Sequence, residues 1–284
     1  MKEEYRPYVE ALIELAIKED IGDGDHTSLA CIPDSAHGRM KLLCKQTGIL
    51  AGVEIAEMVL RRLDPEMKFE KVLSDGAAIK SGDVAFYVEG RTRSLLQAER
   101  LLLNIMQRMS GVATQTAHYV ELLKGTGCTV LDTRKTTPGM RVLDKMAVKI
   151  GGGENHRIGL FDMILLKDNH IDFAGGITAA VTKVKEYLAA TGRSLPIEVE
   201  VRTMQDIDEA MTLTGIDRIM LDNFTPEQTR LAVAKIGGFC KTESSGGINA
   251  DNMREYAECG VDYISVGALT HQIKSLDLSL KACK

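Results

Sequence analysis

The chain has 284 residues, with 35 lysines and arginines against 40 aspartates and glutamates, so its formal net charge is -5. Hydrophobic residues make up 44% and charged residues 26% of the chain. This composition is typical of a folded globular protein and excludes a disordered tail, a collagen-like fibre or a small disulfide scaffold. The mild acidity argues against a protein that coats nucleic acid, and we expect no nucleic-acid partner.

The charge changes sign in one short stretch. Residues 1–130 carry 16 basic and 19 acidic side chains, and residues 171–284 carry 12 and 16. Residues 131–170 instead carry 7 basic and 5 acidic side chains, together with His156 and His170. This inversion marks residues 131–170 as the first place to look for an anionic ligand.

The cysteines and the N-terminus indicate a reducing compartment. Six cysteines lie at positions 31, 44, 128, 240, 259 and 283, and none has the spacing of a zinc site. The N-terminus is polar and acidic, without the apolar region of a signal peptide. The longest apolar runs, such as Met163–Leu166, are too short to span a bilayer. We expect a cytoplasmic protein with no membrane partner.

The first half of the chain alternates helices with short strands. Apolar residues at helical spacing predict a helix around residues 9–17, and another is predicted near 53–63. Ser94 and Gln97 form a capping box that opens a long apolar-periodic helix. Turn pairs separate short runs that predict antiparallel strands at Arg39–Lys45, Lys68–Leu73 and Val84–Gly90. This pattern indicates an α+β open sandwich, with helices packed on a sheet.

From about residue 128 the pattern changes to strand followed by helix. The predicted helices have recognisable caps, Thr203 with Asp206, and Thr225 with Pro226 at the first helical position. Near-continuous apolar strands that alternate with helices indicate a parallel sheet buried on both faces. The predicted strands are Thr129–Asp132, Met163–Lys167, Ile197–Val201, Arg218–Asp222, Lys241–Glu243 and Tyr263–Val266. We therefore expect an α/β fold in which an incomplete (β/α) barrel follows the N-terminal sandwich along the chain.

Polar residues follow the ends of these strands, where barrel enzymes place their active sites. The strand ends carry Asp132, Lys167 and Asp222. Glu198 and Glu200 are two residues apart, so both lie on one face of their strand, either in the packed interior or under the helices. Two carboxylates in either place are costly unless they are paired or functional.

Glycine-rich turns follow the last two strands, at 245–247 and at Gly267. Ser-Gly-Gly is also a common turn. Its position after a late barrel strand nevertheless favours a phosphate site, because backbone N–H groups there can approach a phosphate closely.

Two pairs of basic residues precede the middle strands. Arg134-Lys135 and His156-Arg157 are each compatible with a solvated surface loop. Together with Arg141, Lys145 and Lys167 they would form a basic cluster suited to a ligand with several carboxylates or phosphates. The glycines at 151–153 are not a P-loop, since no Gly-Lys-Ser/Thr follows them.

Taken in order, these motifs resemble the quinolinate phosphoribosyltransferase family over nearly the whole chain. In the first half the resemblance rests on Lys-Glu-Asp-Ile-Gly-Asp-Gly-Asp at 18–25 and Ala-Glu-Arg at 98–100. In the second half it rests on Asp-Thr-Arg-Lys-Thr-Thr-Pro-Gly at 132–139, Gly-Gly-Gly at 151–153, Asn-His-Arg at 155–157, Leu-Lys-Asp-Asn-His at 166–170, Glu-Val-Glu at 198–200, Leu-Asp-Asn-Phe at 221–224, Ser-Gly-Gly-Ile at 245–248 and Asp-Tyr-Ile-Ser-Val-Gly-Ala-Leu-Thr-His at 262–271.

The resemblance implies an N-terminal sandwich over residues 1–112, to which residues 272–284 return, and a barrel over residues 113–271. It implies a homodimer with shared active sites, sometimes within a hexamer. The implied reaction joins quinolinate to phosphoribosyl pyrophosphate with magnesium and yields nicotinate mononucleotide, pyrophosphate and carbon dioxide, a step of NAD biosynthesis.

The resemblance also implies roles for single residues. Quinolinate would be bound by Thr133, Arg134, His156, Arg157 and Lys167, with Arg100 supplied by the partner subunit. Lys135 would be catalytic and would reach the pyrophosphate or the ribose. Glu200 and Asp222 would be catalytic, holding the ribose hydroxyls and Mg²⁺. The 5-phosphate would lie on Ser245, Gly246, Gly247 and Gly267, with Ser244, where the family often has alanine, adding a hydroxyl to that loop.

Two other functions remain open from the sequence. A related phosphoribosyltransferase, such as the paralogue linked to molybdenum uptake, shares the Arg-Lys-Thr-Thr and His-Arg elements. A non-catalytic protein that binds a phosphorylated metabolite would also fit a glycine-rich turn, although it would not need both carboxylates and the full set of cations.

Overall fold

The computed structural model describes residues 1–283 and divides them into two compact units. The first unit comprises residues 1–117, residues 136–152 and the chain from Leu269 onward. The second comprises residues 118–135 and 153–268. The helix at 141–150, which the sequence assigns to the barrel, is thus grouped with the first unit. The boundary expected at 112/113 stays a prediction.

The first unit is built from two antiparallel sheets and several helices. Four strands pair in the order β12-β1-β5-β3, and β2 pairs with β4. The strands are β1 (His37–Cys44), β2 (Gly48–Ile49), β3 (Lys68–Lys71), β4 (Ala78–Ile79), β5 (Val84–Arg91) and β12 (Leu278–Ala282). The helices are a 3₁₀ turn (Glu3–Tyr5), α1 (Arg6–Ile21), α2 (His26–Cys31), α3 (Val53–Leu63), α4 (Thr92–Leu122) and α5 (Arg141–Ile150). The chain leaves this unit within α4, returns to it for residues 136–152, and returns a second time within α11 (Ala268–His271).

The C-terminal strand completes the main sheet of this unit. Strand β12 pairs with β1 in the register Leu42↔Leu280. The segment before it crosses α4 at very close range, because a Cβ at Gly111 would lie 2.5 Å from the carbonyl oxygen of Lys274. Glycine at 111 therefore lets the end of the chain reach the sheet.

The long helix α4 begins earlier than its sequence indicates. Ser94 was expected to be the N-cap, but the helix starts at Thr92 and Ser94 is buried within its first turn. The preceding strand β5 runs directly into the helix at Arg91, so no extended cap residue separates them. The capping-box prediction for Ser94 is therefore wrong.

The second unit is a six-stranded parallel sheet in the order β6-β11-β10-β9-β8-β7. Its strands are β6 (Thr129–Leu131), β7 (Ile164–Leu166), β8 (Ile197–Val201), β9 (Arg218–Asp222), β10 (Lys241–Ser245) and β11 (Tyr263–Ser265). Its helices are α6 (Asp168–Ala174), α7 (Ile177–Thr191), α8 (Met204–Met211), α9 (Pro226–Ile236) and α10 (Met253–Ala257). Among the described strands β6 and β7 stand at opposite edges, so the circle of strands is open, and the predicted incomplete barrel is confirmed.

Two helices begin at the caps that the sequence predicts. The hydroxyl of Thr203 accepts a hydrogen bond from Asp206 N at 3.1 Å, and the hydroxyl of Thr225 accepts one from Gln228 N at 3.3 Å. These caps end the loops that follow β8 and β9, and so hold the carboxyl ends of those strands in place. The ends of all six parallel strands lie at one edge of the sheet, here named the carboxyl edge.

A buried ion pair joins α4 to α5 within the first unit. Arg108 donates two hydrogen bonds of 2.8 Å to the carboxylate of Asp144, which is fully buried, and a third of 3.1 Å to the carbonyl of Thr270. Burial raises the pKa of Asp144 and Arg108 opposes that rise. Arg108 and a backbone hydrogen bond from Thr137 together favour the charged form of this carboxylate. In the described part of the chain, no helix combines the length and apolarity needed to cross a membrane.

We expect Arg108→Met to lower the free energy of unfolding by about 3 kcal/mol, because it leaves a buried carboxylate without its partner. Urea denaturation of the purified protein measures the change. The control is Arg61→Met, which removes the exposed Arg61–Glu57 pair and should cost less than about 1 kcal/mol. Equal losses in the two variants would contradict a structural role for the buried pair.

Candidate functional site

Three charged side chains lie at the carboxyl edge, at the ends of the neighbouring strands β7, β8 and β9. They are Lys167, Glu200 and Asp222. Lys167, directly after β7, donates from Nζ to Oε2 of Glu200 at 3.2 Å. The other oxygen of Glu200 accepts a hydrogen bond from the backbone N–H of Asp168, also at 3.2 Å. Glu200 is thus fixed in direction by a cation on one oxygen and by the first residue of α6 on the other.

Asp222 is the last residue of the next strand, β9, and its pKa is affected by the charge of Glu200. Burial raises the pKa of Asp222, and the negative charge of Glu200 raises it further. Asn223 Nδ2 donates to Oδ2 of Asp222 at 2.7 Å and counteracts the rise. Two neighbouring carboxylates of this kind are stabilised by a hard divalent cation, and oxygen is the ligand that Mg²⁺ prefers. Glu200 and Asp222 therefore form a donor set that fits Mg²⁺.

A cationic cluster forms on the loops at 132–135 and 154–157. Glu154 forms a parallel bridge with Leu131 at the end of β6, and the carboxylate of Asp132 accepts a hydrogen bond from His156 N at 2.9 Å. This pairing brings Arg134 close to Arg157. The pKa of Arg157 is lowered by burial and further by the charge of Arg134. Two guanidiniums held together against their repulsion make a site suited to an anion.

The loop at 156–162 is itself fixed from within. The carboxylate of Asp162 accepts hydrogen bonds from Ile158 N at 2.7 Å and Gly159 N at 2.9 Å. The guanidinium of Arg157 donates to the carbonyl oxygen of Met163 at 3.4 Å. These bonds hold Arg157 at the carboxyl edge.

The glycine-rich turn after β10 has a backbone that only glycine adopts with ease. Gly246 and Gly247 have φ of +97° and +63°. The carbonyl of Gly247 accepts a hydrogen bond from Asn252 Nδ2 at 3.2 Å, just ahead of α10. The turn is consequently ordered, and a ligand can approach its backbone closely.

Beneath these groups lies a buried cluster of acids and bases. Nε2 of His156 lies 2.9 Å from Oε2 of Glu198 and 3.6 Å from Oε2 of Glu243. Arg218 donates to Glu243 at 2.6 Å, and its guanidinium stacks 4.2 Å from the centre of the Tyr263 ring. Glu198 and Glu243 are both fully buried. Burial raises the pKa of each to about 7.

The hydrogen bonds around His156 select one tautomer. Nδ1 accepts the backbone N–H of Arg157 at 2.7 Å, so the proton lies on Nε2, which is 2.9 Å from Oε2 of Glu198. His156, Glu198 and Glu243 bring potential metal-ligand atoms within 4.8 Å of one another. Arg218 pairs with Oε2 of Glu243, whereas both oxygens of Glu198 and Oε1 of Glu243 are buried without a hydrogen bond among the described residues.

Comparison with known proteins identifies the family. Residues 25–110 match the N-terminal domain and residues 112–281 match the C-terminal domain of quinolinate phosphoribosyl transferase. The chain belongs to the quinolinate phosphoribosyl transferase family. The family resemblance and the fold class inferred from the sequence are thereby confirmed.

Relatives of this phosphoribosyltransferase chain extend over nearly its full length. A nicotinate-nucleotide pyrophosphorylase (carboxylating), chloroplastic, from Oryza sativa subsp. japonica is 44% identical, covering 96% of this chain and 77% of its own. A probable nicotinate-nucleotide pyrophosphorylase (carboxylating) from Bacillus subtilis (strain 168) is 40% identical, with 92% and 89% covered. Other plant relatives are named as mitochondrial. The cytoplasmic location expected from the sequence therefore stays a prediction.

Solved structures of the family share the fold. The nicotinate-nucleotide pyrophosphorylase from Francisella tularensis superposes with a TM-score of 0.91 at 39% identity, covering 98% of this chain and 96% of its own. NadC from Streptococcus pyogenes gives a TM-score of 0.90 at 37% identity, with 97% of each chain covered.

Most of the site residues predicted for this family member lie on the second unit at or near its carboxyl edge. These are Thr133, Arg134, Lys135, His156, Arg157, Lys167, Glu200, Asp222, Ser245, Gly246, Gly247 and Gly267. Arg100 lies on α4 in the first unit, where it is exposed. Of the wider basic cluster, Arg141 and Lys145 belong to α5 in the first unit.

The role expected of Ser244 is wrong. Ser244 is not part of the glycine turn but lies inside β10, in register with Leu221 and Ile264, and its side chain is buried. Because strand residues alternate between faces, Glu243 and Ser245 share one face and Ser244 points to the other. Its hydroxyl cannot serve the phosphate turn.

Three residues of the buried cluster had no assigned role in the sequence. The two-residue spacing of Glu198 and Glu200 places both on one face of β8, but Arg218 and Glu243 belong to no local motif. One sequence feature could have indicated the cluster: each of the neighbouring strands β8, β9 and β10 has an ionisable residue at an inward position. Their contacts depend on the register between strands, which a single sequence does not reveal.

The buried carboxyls give the stability a defined pH dependence. The pKa of Glu243 is about 7 in the folded chain against an ordinary value of 4.5, so the folded state holds the extra proton between these values. The free energy of unfolding therefore falls as the pH rises from about 4.5 to 7, by about 1.4 kcal/mol per pH unit for each extra proton held. We expect Glu243→Gln to flatten this slope. Urea denaturation at pH 5, 6 and 7 measures it, and parallel pH profiles for the two proteins would contradict the assignment.

Proposed function

We propose that this protein transfers the phosphoribosyl group of phosphoribosyl pyrophosphate to quinolinate and releases pyrophosphate and carbon dioxide, forming nicotinate mononucleotide for NAD biosynthesis. The observation that carries the proposal is the arrangement at the carboxyl edge. The guanidiniums of Arg134 and Arg157 stand near the β6 end, and the carboxylates of Glu200 and Asp222 stand at β8 and β9. This division of charge suits one ligand with two carboxylates and one sugar with several phosphates, and the names of the relatives agree with it.

Quinolinate would be held by the cationic groups. Arg134, Arg157 and Lys167 supply guanidinium and ammonium donors to its two carboxylates, and Thr133 adds a hydroxyl. Both ring nitrogens of His156 already face protein groups, Arg157 N and Glu198. We therefore propose that His156 serves quinolinate binding by holding Arg157 in place.

Phosphoribosyl pyrophosphate would lie along the ends of the later strands. The backbone N–H groups of the turn at Ser245–Gly247 and of Gly267 would bind the 5-phosphate. Glu200 and Asp222 would accept hydrogen bonds from the ribose hydroxyls, and Lys135 would approach the pyrophosphate. Bound Mg²⁺ would supply charge neutralisation for the pyrophosphate as it leaves.

The reaction forms two bonds, N–C and C–H, and breaks two, C–O and C–C. The ring nitrogen of quinolinate attacks C1 of the ribose while the bond from C1 to the pyrophosphate oxygen breaks. Positive charge develops on the ribosyl group during this step, and the carboxylates of Glu200 and Asp222 stabilise it. The carboxylate next to the nitrogen then leaves as carbon dioxide, its electron pair is accepted by the positively charged ring, and that carbon takes up a proton.

We propose that the functional unit is a homodimer, or a hexamer built from dimers. Arg100 is an exposed cation on a helix of the first unit. In this proposal Arg100 of the partner subunit joins the quinolinate-binding cations of each site.

Purified protein incubated with quinolinate, phosphoribosyl pyrophosphate and magnesium should form nicotinate mononucleotide with one equivalent each of pyrophosphate and carbon dioxide. Chromatography of the nucleotide and release of labelled carbon dioxide measure the products. Nicotinate offered in place of quinolinate is the control, since it lacks the second carboxylate. Turnover of nicotinate alone would favour the related phosphoribosyltransferase, and folded protein that turns over neither would refute the proposal.

Glu200→Gln should lower kcat by about 100-fold or more, because it removes a charge that stabilises the ribosyl cation. The matched control is Glu186→Gln, which removes the charge of an exposed glutamate on α7. Steady-state kinetics with both substrates measure the effect, and melting curves establish that both variants are folded. Wild-type turnover in the Glu200 variant would exclude the catalytic role.

A further inference from the structure

Asn223 occupies a left-handed backbone conformation directly after β9. Its φ is +57°, and among residues 1–283 it is the one residue other than glycine with a positive φ. This region is sterically disfavoured for residues with a Cβ, and asparagine is among the few that tolerate it. A conformation of this kind persists only where its surroundings hold it, and it is concentrated at functional sites.

Three contacts hold Asn223, and they reach two parts of the proposed site. Its backbone N–H donates to the carbonyl of Ser245 at 2.8 Å, across from β9 to β10. Its side-chain Nδ2 donates to Oδ2 of Asp222 at 2.7 Å. The rest of its carboxamide packs against Gly246, where a Cβ would lie 2.6 Å from Cγ of Asn223 and 2.9 Å from its backbone nitrogen.

The two strand ends are already neighbours, because Asp222 and Ser245 are in register between β9 and β10. Register alone does not orient a carboxylate or set the path of a turn. The bond from Nδ2 holds one oxygen of Asp222 and leaves the other for a ligand. The contact with Gly246 sets the distance between that carboxylate and the glycine turn.

We propose that Asn223 is a positioning residue that locks the carboxylate of Asp222 and the turn at Ser245–Gly247 into one fixed arrangement for binding phosphoribosyl pyrophosphate. The inference rests on the proposed function. Asn223 itself would contact none of the reacting atoms. Its consequence is specific to one substrate, because the quinolinate-binding cations lie on the loops at 132–135 and 154–157 and after β7.

Two substitutions separate the side chain of Asn223 from its backbone. Asn223→Gly keeps the left-handed conformation without strain and removes the carboxamide. Asn223→Ala removes the same group but, unlike the glycine variant, keeps a Cβ, which is strained in the left-handed conformation. If the carboxamide positions Asp222 and the turn, both variants bind phosphoribosyl pyrophosphate in the presence of Mg²⁺ about 10-fold more weakly or worse, the range usual for loss of a supporting hydrogen bond beside a metal-binding carboxylate.

Isothermal titration calorimetry with phosphoribosyl pyrophosphate and Mg²⁺ measures the binding, and steady-state kinetics give KM for each substrate. We expect Asn223→Gly to keep its melting temperature and to keep KM for quinolinate within about twofold, since it leaves the cations in place. Gln205→Ala, which removes an exposed amide on α8, is the control and should match the wild type.

The possible results separate a failure of this inference from a failure of the proposed function. Wild-type binding and kcat in Asn223→Gly, with a defect in Asn223→Ala alone, would show that only the backbone matters and would overturn the proposal. Equal loss for both substrates together with a lower melting temperature would also overturn it, because a general structural defect explains that result. A wild-type protein that neither binds phosphoribosyl pyrophosphate nor turns over would instead refute the proposed function.

Discussion

The organisation of the second unit depends on the buried contact between His156 and Glu198. A carboxylate in the interior loses its hydration, and only a close basic partner offsets that cost. Glu198 lies 2.9 Å from the imidazole of His156 and 3.9 Å from the guanidinium of Arg218. The same histidine is tied to β6 through Asp132 and to Arg157 through its own Nδ1. The requirement to satisfy a buried acid on β8 thus fixes the loop that carries Arg157 to the carboxyl edge.

The charges above this contact are sorted by position along the edge. Arg134 and Arg157 stand beside β6, Glu200 and Asp222 stand on β8 and β9, and Lys167, directly after β7, pairs with Glu200 at 3.2 Å. The negative net charge of the chain therefore does not oppose the binding of anions, since the field at a site is set by the charges that line it. Because cations and carboxylates occupy different strands, a dicarboxylate and the sugar of a phosphorylated ligand can bind side by side without competing for the same groups.

The sequence predicts well those features that depend on neighbouring residues. The six parallel strands, the caps at Thr203 and Thr225 and the shared face of Glu198 and Glu200 all follow from spacing within a few positions. Features that depend on pairing between distant strands could not be predicted. The burial of Ser244, the contact of Arg218 with Glu243 and the left-handed turn at Asn223 each require the register of β10 against β9. The capping box at Ser94 failed for a related reason, because a local motif was overridden by a strand that continues directly into the helix.

Glu198 and Glu200 illustrate how depth in the sheet gives one residue type two roles. They lie two positions apart on one face of β8, so their side chains occupy successive layers about 6.6 Å apart. The lower carboxylate has basic partners supplied by the protein, and burial raises its pKa to about 7. The upper one is held by Lys167 and by a backbone N–H, both at the carboxyl edge. The lower layer is shut off from solvent, whereas the upper layer pairs Glu200 with a second carboxylate, Asp222, an arrangement that suits a cation or a positive charge developing on a ligand. Depth in the sheet thus separates an acid that is shielded from solvent from one that stands where a ligand can meet it.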